Sequence, residues 1–191
     1  MIKIAITGNI ACGKSVAFDV IKSEGFSIVD CDDMVKDLYK NSDFIKTLKN
    51  EFPEIILNES VNTKLLSEKL FSDINFKQSY ENFIYPKIKV KFLEFLNQNK
   101  GEKVVFVVIP LLFEAGFENL FDKIVFISAK EEIRKTRLVS RKSMLSDIAD
   151  KVISSQQKEE EKIPKSDYVI KNNAALEEFK CDIKKLLNNL I

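Results

Sequence analysis

The residues with the most definite chemistry stand near the start of the chain: Gly8-Asn9-Ile10-Ala11-Cys12-Gly13-Lys14-Ser15, followed by Val16. This is the spacing G-x-x-x-x-G-K-S, which wraps backbone N–H groups around a phosphate. The glycines leave the backbone uncrowded and free in φ, so successive amides can point inward at phosphate oxygens. Lys14 then reaches the β- and γ-phosphates, and Ser15 can hold Mg²⁺. A second group is Arg134, Arg137 and Arg141, the only arginines among 30 basic residues. Their spacing of i, i+3, i+7 puts them on one helix face. A guanidinium fork matches phosphate oxygens as an ammonium does not, which suggests a clamp; the plainer alternative is a solvated basic face pairing with Glu131 or Glu132. The third group is Asp30-Cys31-Asp32-Asp33. Phosphoryl transfer to an alcohol needs a carboxylate that orients the hydroxyl and accepts its proton, and any of these aspartates could serve. An aspartate at a strand-to-helix junction also commonly caps the helix.

Composition narrows the chemistry. The sequence has no histidine, which excludes Ser-His-Asp and Cys-His catalysis and leaves proton transfer to carboxylates or lysines. Its three cysteines, Cys12, Cys31 and Cys181, are odd in number and lack metal-ligand spacing. With 30 basic and 29 acidic residues the net charge is +1, so no overall field favours nucleic acid or membrane. No apolar run is long enough to span a bilayer, and no leader-like segment precedes the first strand, so a cytoplasmic location is expected. The length of 191 residues and 45% hydrophobic content suit one α/β domain with small insertions.

The elements that must position these groups follow from the patterning. Residues 1–6 read as a strand feeding the loop, and 16–24 as the helix whose N-terminus adds a favourable field for an anion. A second strand at 26–29 delivers the aspartates to the carboxyl end of an open sheet, where ligands bind. Helices are expected at 34–39 and 43–52. From 62 to 99 the pattern is helical throughout, with Pro86 expected to kink or break it near Tyr85. Lys103 to Ile109 is a continuous β-branched run, the pattern of a central parallel strand buried on both faces. Further strands are expected at 123–128 and 168–170, and helices at 130–141, 146–161 and 175–190. Such alternation predicts a parallel sheet with helices on both faces.

Taken together these residues resemble the dephospho-CoA kinase family. The matching parts span nearly the full length: the phosphate loop; Val29-Asp-Cys-Asp32; Pro110-Leu-Leu-Phe-Glu114; Arg137-Leu-Val-Ser-Arg141; Gln156 and Lys162 after it; and Asp167-Tyr-Val-Ile170 with Asn172. The resemblance implies a P-loop NTPase fold with a five-stranded parallel sheet. It implies a nucleotide-binding core of residues 1–57, 98–137 and 158–191, a helical insertion at 58–97 for the CoA substrate, and a helical lid at 138–157. It implies transfer of the ATP γ-phosphoryl group to the ribose 3′-hydroxyl of dephospho-CoA with Mg²⁺ present, by a monomer without nucleic-acid or membrane partners. Asp32 then becomes the base. Lys14 and Arg141 join it as catalytic groups; residues 8–16, Arg137, Arg141 and Asn172 hold ATP, Ser15 holds the metal, and Asp32, Tyr85, Pro86, Leu111 and Glu114 meet the acceptor.

Some positions depart from the family pattern. Tyr85-Pro86 stands where His-Pro is common, Asn9 where a second glycine is common, Lys36 in place of Arg, and Arg134, expected at the surface, in place of Gln. A different small-molecule kinase, acting on a nucleoside, nucleotide or shikimate-like alcohol, would use the same loop and lid. A nucleotide-dependent switch is a poorer match, because no N-K-x-D element is present to read guanine. Lys14→Ala should impair ATP binding and turnover together, and normal kinetics in that variant would contradict the loop assignment.

Overall fold

The structure, a computed structural model, describes residues 1–142 and 145–190, without the side chains of Arg141 and Lys142. Packing divides the chain into two units, one formed by residues 1–30 with 99–191 and the other by residues 31–98.

In the first unit, β1 (Ile2–Thr7) leads through the phosphate loop into α1 (Lys14–Ser23), and the chain returns as β2 (Ser27–Asp30). After residues 31–98 come β5 (Val104–Val108), β6 (Lys123–Ser128), α6 (Glu131–Lys142), α7 (Ser146–Ser154), α8 (Glu159–Lys162), β7 (Tyr168–Lys171) and α9 (Leu176–Leu190). The five strands form one sheet in the order β2-β5-β1-β6-β7, and every pairing is parallel. The chain first moves to one side of β1 and later to the other, so the carboxyl end of β1 is the switch point where an open α/β sheet leaves room for a ligand.

Burial explains the patterns. All five residues of β5 are buried, as are Ile4 to Thr7 of β1, because both faces of the sheet are covered. One core joins Ile4, Ile6 and Phe106 to Ala17, Val20 and Ile21 of α1 and to Phe179, Ile183 and Leu187 of α9. Asp167 fastens the start of β7 to β6, accepting from the Ile124 N–H at 2.8 Å and the Lys123 ammonium at 2.9 Å.

The second unit contains α2 (Cys31–Leu38), α3 (Ser42–Glu51), a hairpin of β3 (Ile56–Leu57) and β4 (Ser60–Val61), α4 (Thr63–Ser72) and α5 (Ile74–Gln98). Asn41 and Asn62 cap α3 and α4 with their side-chain oxygens, and Asp73 accepts from the N–H groups of Asn75 and Phe76 where α5 begins. Its centre is aromatic: Phe52 meets Phe76, Tyr80 and Phe83 edge-on, with ring centroids 5.4, 5.6 and 5.6 Å away. The hydroxyls of Tyr39 and Tyr80 are hydrogen-bonded to each other.

Several expectations need correcting. Pro86 does not end its helix: α5 runs unbroken for 25 residues. Phe76, Tyr80, Ile84, Ile88 and Phe92 form one buried stripe on either side of the proline, while Asn82, whose carbonyl loses its partner, and Pro86 are exposed. Packing along the stripe outweighs one missing hydrogen bond. The expected helix at 146–161 is two helices, α7 and α8, interrupted at residues 155–158. The hairpin was not expected at all; Asn58 and Glu59 turn it with φ of 49° and 56°, the left-handed pair of a tight two-residue turn. Packing groups α2 and α3 in one unit with residues 58–97. Finally, Arg134 is buried, at 5% exposure, instead of lying on the surface.

Candidate active site

The phosphate loop leaves β1 at its carboxyl end and enters α1 at Lys14. Gly8 and Gly13 have φ of 146° and 114°, and each is packed too closely for a side chain. A Cβ on Gly8 would collide with the Ile127 carbonyl, and one on Gly13 with the Asn172 amide. Ala11, at φ of 59°, is the loop's strained non-glycine residue. Gly13 occupies the N-cap position of α1 and so brings no side chain to its first amides, which leaves them and the positive end of the helix for an anion. Ser15 is exposed in the first turn.

The loop carbonyls turn the other way and are bound from behind. Lys14 Nζ donates to the carbonyls of Gly8 at 2.7 Å and Asn9 at 3.1 Å. Arg137 Nη1 donates to the carbonyls of Ala11 at 3.1 Å and Cys12 at 3.4 Å, and its Nη2 to the carbonyl and Oδ1 of Asn172, at 3.1 and 3.0 Å. Asn172, 4% exposed, gives its own Nδ2 to the Cys12 carbonyl at 2.7 Å. Arg137 and Asn172, expected to touch ATP, therefore brace the loop backbone. Arg134 and Arg137 hold different partners. Arg134 Nε donates to the Ala129 carbonyl at 3.1 Å and lies 4.0 Å from Glu159 Oε1, and the Arg141 side chain lies outside the described residues.

Burial pushes the Cys12 thiol up, against the opposing pull of the nearby Lys14 ammonium, so it stays protonated and acts as a small packing residue. Ile10 and Ala11 pack against Leu138, Ala149 and Ile153, which seats α6 and α7 on the outer side of the loop. A cleft of ≈ 800 Å³ opens beside this region, walled in part by Asn9, Ser128, Arg134, Gln156 and Glu159.

The family model for dephospho-CoA kinase matches residues 2–178. The chain belongs to the dephospho-CoA kinase family. It is 33% identical over 178 residues to the dephospho-CoA kinase of Fusobacterium nucleatum, covering 92% of each chain. It superimposes on the dephospho-CoA kinase from Campylobacter jejuni with a TM-score of 0.71 at 31% identity, covering 98% of this chain and 96% of that one. For TT1252 from Thermus thermophilus the TM-score is 0.87 at 29% identity, covering 100% and 98%. The fold is thus that of the P-loop kinases, and the chain is a phosphotransferase of this family.

Of the expected site residues, the first unit brings together Gly8 to Val16, Arg137, Asn172 and Glu114. Val16 packs on the core, and Leu111 is 42% exposed beyond β5. Asp32, Tyr85 and Pro86 belong to the second unit, Asp32 exposed in the first turn of α2 with Asp33, where both acids favour the helix dipole. Asp33 is paired with Lys36 at 2.6 Å. Sequence reasoning gave no role to three groups that the structure ties to the loop. Gln156 Oε1 accepts from the Ile10 N–H at 2.7 Å, the Gln157 carbonyl accepts from Asn9 Nδ2 at 3.2 Å, and the buried Lys162 ammonium donates to Asn9 Oδ1 at 2.9 Å and Glu114 Oε1 at 2.6 Å. Gln156 and Lys162 stood among the positions that match the family pattern, but the match carried no contact for either, and the partners of Lys162, Asn9 and Glu114, lie 153 and 48 residues away.

Asn172→Ala removes one of the donors to the Cys12 carbonyl and one of the acceptors of Arg137. It should lower stability by about 1–3 kcal/mol and weaken ATP binding, measured by denaturant unfolding and nucleotide titration; an unchanged midpoint with unchanged affinity would mean the brace is dispensable.

Proposed function

We infer that the chain transfers the γ-phosphoryl group of ATP to the ribose 3′-hydroxyl of dephospho-CoA, giving CoA and ADP, with the roles divided as follows. The amides at the start of α1 and Lys14 hold the β- and γ-phosphates. Asp32 accepts the proton of the 3′-hydroxyl as its oxygen attacks the γ-phosphorus; the bond from that phosphorus to the bridging oxygen breaks, and ADP leaves with the bridging oxygen. With no histidine in the sequence, a carboxylate is the natural base for this step. Asp32 is supported by position in the chain: α2 starts directly where β2 ends, and the last residue of β2, Asp30, pairs with Val108 at the carboxyl edge of the sheet.

Arg141 is the arginine we assign to the transferring phosphoryl group, with Arg137 holding the loop beneath it. We assign residues 31–98 to acceptor binding, with Tyr85, Pro86 and Leu111 among the contacts, and residues 138–157 to a lid whose closing excludes water and suppresses ATP hydrolysis. Glu114 we assign to Lys162 rather than to the acceptor.

Mg²⁺ fits the donor set. Among the described residues no cluster of three or more acidic or thiol side chains could cage a metal, but Ser15 offers an exposed hydroxyl beside the phosphate-binding amides, and Mg²⁺ commonly takes one or two protein ligands with phosphate and water oxygens. Bound there, it would neutralise charge on the transferring phosphates. No helix among the described residues is long and apolar enough to cross a membrane. We assign the reaction to a monomer acting on soluble metabolites in the cytoplasm.

The observation that carries this reading is the intact loop braced from behind, in a chain that matches the dephospho-CoA kinase model over residues 2–178. Dephospho-CoA, AMP, CMP and shikimate offered with ATP test it: only dephospho-CoA should be phosphorylated, and turnover of another acceptor in its place would overturn the reading. Asp32→Asn should lower turnover roughly 10²- to 10⁴-fold with ATP binding largely kept; equal activity would move the base to Asp30 or Asp33.

A further inference from the structure

Lys162 is 1% exposed, and its ammonium has two partners, Glu114 Oε1 at 2.6 Å and Asn9 Oδ1 at 2.9 Å. Burying an ammonium is costly, and a buried ion pair rarely stabilises a fold more than an apolar side chain of similar volume would. Stability alone is therefore a weak reason for a lysine here. What the ammonium does that an apolar chain could not is hold the Asn9 side chain. Asn9 is itself 2% exposed, and its main-chain carbonyl is one of the two carbonyl acceptors of Lys14. One loop residue thus lies between two ammonium groups, Lys162 on its side chain and Lys14 on its backbone. Its Nδ2 is tied to the Gln157 carbonyl, so the carboxamide is fixed at both ends.

We propose that Lys162 is a positioning residue for phosphoryl transfer, acting through Asn9 to fix the opening of the phosphate loop and the point from which Lys14 reaches the phosphates. The proposal rests on the phosphotransferase reading and adds to it a residue that touches neither substrate. Its effect is on reaction geometry, so it should be felt in kcat. A displacement of about 1 Å at a reacting centre can cost about 10²-fold in rate. Loss of a structural strut would instead be felt in stability.

The test is steady-state kinetics with ATP and dephospho-CoA for the wild type, Lys162→Met, Asn9→Ala and the double variant, together with their thermal unfolding. Lys162→Met should lower kcat roughly 10- to 100-fold while KM for ATP changes by less than about threefold. Asn9→Ala should give a similar loss, and the double variant should be no worse than the poorer single one, because both act through one contact. Should Lys162→Met fail to fold with Glu114 left unpaired, Lys162→Met/Glu114→Gln carries the same expectation. Unchanged kcat with a lowered unfolding temperature would make Lys162 a strut and overturn the proposal. So would multiplying losses in the double variant, which would mean that Lys162 does not act through Asn9. A wild type inactive on dephospho-CoA would overturn the function itself, whereas an active wild type beside an unimpaired Lys162→Met variant overturns this inference alone.

Discussion

A loop that turns its amides inward to a phosphate must turn carbonyls outward, into protein, and each of those needs a donor. This constraint accounts for most of what surrounds residues 8–15. Lys14 covers the carbonyls of Gly8 and Asn9, Arg137 those of Ala11 and Cys12, and Asn172 reaches Cys12 from the end of β7. Lys14 comes from the start of α1, Arg137 from α6 and Asn172 from the strand end two places away across the sheet, so the parallel order β1-β6-β7 is what lets the last two converge on the loop. The same requirement explains the glycines. Asn172 can sit against the Cys12 carbonyl because Gly13 has no side chain to push it away.

The legible parts of the sequence were those governed by local rules. The loop is a contiguous motif, β5 is a contiguous apolar run, and the alternation of strands with helices fixes a parallel sheet. The illegible parts were set by contacts between distant residues. Arg137 stood out because arginine is rare in this chain, but spacing along a helix does not show that its guanidinium reaches the carbonyls of Ala11 and Cys12. Arg134 looked like a surface residue because its partners, Ala129 and Glu159, come from either side of it in the chain. Pro86 misled for a similar reason: the rule that proline breaks a helix is local, whereas the buried stripe from Phe76 to Phe92 that keeps α5 whole is a property of packing.

Histidine is absent from the sequence, and ammonium and guanidinium groups hold the carbonyls of the loop. The buried lysine is the unusual member, since most of the other lysines lie in solvent, several in exposed pairs three residues apart that contribute little. Cys12, inside the loop, is fully buried and kept protonated.

The claim on which everything else stands is that this loop holds a phosphate in order to hand it on. The most direct measurement is to identify the products when the enzyme, ATP, Mg²⁺ and dephospho-CoA are mixed, following phosphorus by NMR. The account predicts ADP and a new phosphomonoester on the ribose 3′-oxygen in equal amounts, with little free phosphate. Conversion of ATP to ADP and inorganic phosphate with dephospho-CoA left intact would contradict it.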